Sequence, residues 1–195
     1  MRGEVIWIVC IGFLFLWSLF STNKNSQAQL DFIQSFRFSS ALIAKLQKKY
    51  PNLTEEQVTL AFQGLRDYFA MCHQAKGGKV AMPSRIVDEA WHEFILFSRD
   101  YARFCQNAFG YFLHHNPSTP LTRLTDRTYA LTQAWDLACK LANSNPKKTQ
   151  KLPLLFRIDE ELAIPGGMKY STDFDPTDYY ENANDIGEVD VPTCA

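Results

Sequence analysis

The stretch that decides the fold is MPSRIVDEAWHEFILFSRDYARFCQNAFGYFLHHNP, residues 82–117. Apolar residues recur at helical spacing through most of it, and Ser84 stands where a side chain caps a helix start. A helix from Ser84 to about Phe109 follows, with Gly110 as its stop. The same stretch holds two Asp, one Trp, three His and one Cys. A packing face needs none of the acid, imidazole or thiol groups, so a functional site is expected here or on what packs against it.

The neighbouring segments also read as helices. Leu42, Ile43, Leu46 and Tyr50 share one face before Pro51. Thr54, with Gln57 three residues on, forms a capping box for a helix to about Lys76, closed by Gly77 and Gly78. Two more helices are predicted, over about 126–142 and 154–162. No period-2 strand pattern and no internal repeat is visible. The expected fold is all-α: a small bundle of four or five helices, over residues 39–168, behind one N-terminal apolar helix.

That apolar run is VIWIVCIGFLFLWSLF, residues 5–20. Sixteen helical residues span about 24 Å, and flanking residues extend them toward the roughly 30 Å of a bilayer core. Residues 1–22 therefore read as a single-pass transmembrane anchor, and 23–38 as a linker. The rival is a signal peptide cut after Ser26-Gln27-Ala28, which would make the protein secreted or periplasmic. Bulky Trp7 and Trp17, and the distance of that site from the run, favour the anchor. Lys24, Arg37, Lys45, Lys48 and Lys49 lie downstream, so the soluble domain is expected in the cytoplasm.

The five cysteines are widely spaced, and no CxxC pair exists. This excludes a zinc ribbon or a thioredoxin-like motif. Scattered single cysteines suit a reducing compartment, where each acts as a small buried hydrophobe. From Ser171 onward there are seven acidic residues and no Lys or Arg. Residues 169–195 are accordingly expected to form an acidic, largely disordered tail. The formal net charge of -1 gives no pull toward nucleic acid, and none is expected as a partner.

Asp88 and His92 stand i, i+4 on one helix face. An Asp that holds one imidazole nitrogen frees the other for a proton or a metal. The blander account has Asp88 favouring the helix dipole and His92 satisfying a buried hydrogen bond. If this helix folds back antiparallel on the preceding one, Cys72 and His73 come level with Asp88, one turn from His92. Cys72 or His73, Asp88 and His92 are then candidate ligands for zinc or another borderline divalent ion. A set of His92, Cys105 and His114 fails. Thirteen helical residues put His92 and Cys105 about 20 Å apart, and no Pro or Gly between them offers a break. His114 and His115 are adjacent and point apart on a strand or turn, so at most one can bind. Cys105 sits on an apolar stripe between Tyr101 and Phe109 and reads as core.

Several of these motifs together resemble the bacterial branch of the glycine-rich domain-containing protein-like family. They are MPSxxVDxAWHxFIL from Met82, YxxFC from Tyr101, FGxFxHH from Phe109 and LPLLFxxDxxLxIPGG from Leu152. The resemblance covers roughly residues 40–170. It implies a helical domain, often behind a membrane segment. Asp88, Trp91, His92, Tyr101, Cys105, Gly110 and His114 match its characteristic positions. It brings no activity with it, and the acidic tail departs from the family's glycine-rich one.

Two functions compete. One is a membrane-anchored helical module that binds a partner protein, carried by the aromatic helix and supported if Trp91, Phe94 and Phe97 are exposed together. The other is a metal-binding domain, with hydrolysis within reach, centred on Asp88 and His92. No HExxH, GxSxG, P-loop or GxGxxG occurs. His92-Glu93 opens like a zincin motif, but Leu96 stands where the second histidine belongs.

Overall fold

The structure is a computed structural model and describes residues 24–116, 124–175 and 192–194. Helix starts follow the capping residues. The Thr54 side chain accepts from the Gln57 amide while the Gln57 side chain accepts from the Thr54 amide, as the sequence predicts. Ser39 and Ser84 accept from Leu42 N and Val87 N in the same way. The elements are α1 (described over residues 24–35), α2 (Ser40–Lys49), α3 (Glu55–Gln74), β1 (Val80–Ala81), α4 (Arg85–Leu96), α5 (Ser98–Ala108), β2 (His115–Asn116), α6 (Leu124–Leu141), α7 (Leu154–Glu161) and β3 (Thr193–Cys194).

The all-α expectation holds, but the described residues form seven helices rather than four or five. One addition is α1, which replaces the expected linker. Its Ile33 is fully buried, and Phe32 and Phe36 pack on Phe104 of α5. The other comes from a break at Phe97, whose φ of -81° and ψ of 56° leave the helical region. No Pro or Gly causes it. Folding α5 back buries Tyr101, Phe104, Cys105 and Ala108, which a straight continuation would carry away from the core. Packing here overrides local propensity. The anchor segment lies outside the described residues, and among those no helix is long and apolar enough to cross a membrane.

Strands too short to show a period also escape the sequence. β3 lies between β1 and β2, antiparallel to both. Cys194 pairs with Val80 on one side and with His115 on the other, and Thr193 with Ala81 and Asn116. The acidic tail therefore needs correction at both described ends. Phe174 packs on Trp135 and Phe156, and residues 193–194 form the central strand. The cysteine reading needs correction too, because Cys72 of α3 is disulfide-bonded to Cys194. A pairing 122 residues apart cannot be read from spacing. Cys105 and Cys139 are free and buried, as expected of small hydrophobes.

Helix α3 runs through the middle, against α2, α4, α6 and α7. Glycine at position 64 lets α4 approach it, since a Cβ there would come within 2.8 Å of Val87 Cγ2. Tyr68, Phe69, Trp91, Phe94 and Phe104 form a connected aromatic core.

The N-terminus of α4 is held by Asp159 of α7, which is only 3% exposed. Its carboxylate accepts from Ser84 Oγ at 2.8 Å, Arg85 N at 2.6 Å and Ile86 N at 3.2 Å. It also accepts from Met168 N at 2.9 Å, which closes the turn after α7. A helix start leaves its first amides without intrahelical partners, and this carboxylate supplies them together with a favourable charge. Asp159→Ala leaves those buried donors unmatched. It should cost about 3 kcal/mol or more in urea unfolding, whereas Glu160→Ala on the exposed face should cost less than about 0.5 kcal/mol.

Candidate metal centre

From the first turn of α4 and the turn after it, Asp88 and His92 project from one face, as their spacing requires. His92 Nδ1 lies 3.3 Å from Asp88 Oδ2. The other carboxylate oxygen, Oδ1, is 2.7 Å from Nε2 of His115 on β2. The two imidazoles lie tilted against each other with centroids 4.3 Å apart. One ligand atom from each of the three residues lies within 4.8 Å of the others. Among the described residues, Asp88 pairs with no Lys or Arg. Its charge is directed at the two rings.

The surroundings grade from dry to wet. The His115 side chain is 7% exposed and Asp88 18%, while His92 is 48% exposed. His115 packs against Trp91, centroid to centroid 4.4 Å. Trp91 is fully buried between helices, also touching Tyr68 and Phe69 of α3. Its indole Nε1 donates to Tyr101 Oη at 3.0 Å, and that hydroxyl donates to Leu113 O at 2.7 Å. In a straight helix, residues 91 and 101 would stand about 15 Å apart along the axis. The break at Phe97 brings them into contact. Through Leu113 the same chain anchors the backbone two residues before His115. Burial pushes the Tyr101 hydroxyl well above the usual tyrosine range, with nearby Cys105 adding to it.

The sequence-derived candidates divide clearly. Asp88 and His92 meet as expected. Cys72 is committed to the disulfide and has no thiolate to offer. His73 stands apart, its Nε2 3.2 Å from Gln29 Oε1 of α1, with burial lowering its basicity. Trp91 and Tyr101 support the site from beneath. Cys105 is buried, and burial raises its thiol, so it is no ready nucleophile. His114 is exposed, its ring tilted against that of Phe112, while its neighbour His115 turns inward. Only strand alternation hinted that one of the pair would point in, and it could not say which. Two clefts elsewhere, of 790 and 280 Å³, include none of the three residues.

The UCP032817-like family model matches residues 28–190, most of the chain. The chain belongs to that family. This corrects the resemblance to the glycine-rich domain-containing protein-like family: the motifs that carried it hold the cap, core, clamp and candidate site of the present fold. No curated protein matches the chain, and no solved structure does.

Tyr101→Phe removes the hydroxyl that satisfies both Trp91 N–H and Leu113 C=O. Urea unfolding should show a loss of about 2 kcal/mol with helix content retained.

Proposed function

We propose that this domain binds one divalent transition-metal ion through Asp88, His92 and His115. The observation that carries the reading is the meeting of two imidazoles on one carboxylate at 2.7 and 3.3 Å, from two separate elements. Two histidines and one carboxylate suit zinc, ferrous iron or manganese. Three protein ligands leave at least one coordination position free, the arrangement of catalytic rather than structural zinc. The half-exposed side of His92 gives solvent and substrate a way in. A water held there is a nucleophile near neutral pH, so hydrolysis is the reaction class that follows.

The partner-protein reading called for Trp91, Phe94 and Phe97 to be exposed together. Trp91 and Phe94 are buried and Phe97 is half-buried, so that support is lacking. The cytoplasmic placement of the domain drew in part on unpaired cysteines, and the Cys72–Cys194 bond removes that part. A disulfide suits an oxidising compartment, so we place the domain on the extracytoplasmic side.

Calorimetric titration of the full chain with zinc should give one binding site per chain. Asp88→Ala and His115→Ala should each weaken it by more than the roughly 10–100-fold that loss of an outer-shell partner costs. His114→Ala and His73→Ala should leave it unchanged. Absence of binding with zinc, manganese and ferrous iron, or loss through His114 in place of His115, would overturn the reading.

A further inference from the structure

His115 comes from a different part of the chain than Asp88 and His92, and one short strand joins the two parts. β1 runs through Met82 and Pro83 directly into the start of α4, which carries Asp88 and His92. β2 carries His115. The strand order β1-β3-β2 means that β1 and β2 do not pair with each other; each pairs only with β3. Cys194 is in register with Val80 on one side and with His115 on the other. Met82 N donates to Pro192 O at 2.8 Å, extending the contact toward α4. β3 is two residues long, too little to hold itself in place by its ladder. Its tether is the bond from Cys194 to Cys72 on α3, the helix at the middle of the core.

We infer that the Cys72–Cys194 disulfide is a redox control on the Asp88–His92–His115 metal site, acting through the strand that positions His115. The inference rests on the metal-binding reading above and names its regulation. In the oxidised form β3 is fixed, His115 is held against Asp88, and the three ligands are ready-placed. A dithiol reductant breaks the Sγ–Sγ bond. Two electrons and two protons pass to the sulfurs, giving two thiols, while the dithiol closes to its own disulfide. Released, β3 loses its tether, and β2 loses its strand partner among the described residues. His115 then keeps its side-chain contacts with Asp88, Trp91 and His92 and the Leu113 anchor two residues before it, but no strand partner among the described residues. The cost of re-ordering it falls on metal binding. Cys72 and Cys194 are therefore positioning residues for a ligand that neither of them touches as a metal donor.

The test compares manganese affinity in forms of the full chain, because manganese prefers oxygen and nitrogen donors and the freed thiols will not mask the effect. Oxidised wild type is set against the Cys72→Ser/Cys194→Ser double variant and against wild type reduced by a dithiol and then reoxidised. Thr193→Pro is a further arm, which breaks the β3 ladder while leaving the disulfide in place. The expected result is an affinity at least about tenfold weaker in the double variant, in reduced wild type and in Thr193→Pro, with full recovery on reoxidation. Helix content measured alongside separates loss of the site from loss of the fold. Should the serine variant not fold, the reduction and reoxidation cycle on wild type decides alone. Equal affinity in oxidised and reduced protein overturns this inference and leaves the metal site standing. Failure of every form to bind manganese, zinc or ferrous iron overturns the metal reading, and this inference with it.

Discussion

Asp159 accepts four hydrogen bonds at the point where α4 begins, and the rest of the site is arranged from there. Three of its donors, Ser84 Oγ, Arg85 N and Ile86 N, belong to the first turn of α4. The fourth, Met168 N, belongs to the turn after α7. A buried carboxylate with that many donors has one low-energy position, so α4 is fixed in height and rotation against α7. Gly64 then sets how close α4 comes to α3, with Val87 filling the space that a side chain at 64 would take. Once both are set, Asp88 and His92 have a defined direction, one and two turns beyond the clamp.

The second half of the site is assembled from below and from the side. From below, the Trp91–Tyr101–Leu113 hydrogen bonds tie α4 to the segment leading into β2. This works only because the chain turns back at Phe97. From the side, β3 pairs with β2 and is pinned to α3. His115 is thus buried against Trp91 and directed at Asp88, while His92 remains toward solvent. On the proposed metal reading, two dry members and one wet member would combine a firm hold on an ion with access for a small molecule.

The parts of this arrangement written in local chemistry were legible in advance. Thr54, Gln57 and Ser84 announce helix starts because a capping side chain acts on amides two or three residues away. Asp88 and His92 could be put on one face because a helix has a fixed period. The apolar stripe on the central stretch, and the burial of Cys105, followed from the same period. The clamp residue was in view as part of a motif after Leu152, yet nothing near position 159 in the chain says that three of its four donors lie 73 to 75 residues earlier.

By itself, then, the sequence determined an all-α domain, its main helix starts, and the two ligand candidates that share a helix. Tertiary structure alone decided the break at Phe97, the docking of α1, the Cys72–Cys194 bond and the choice of His115 over His114. The physical reason is the same in each case. Capping and periodicity act between residues a few positions apart, so their signals are local in the chain. Burial of α5, closure of a disulfide and completion of a three-ligand cluster depend on which distant surfaces meet. That is fixed only when the core packs.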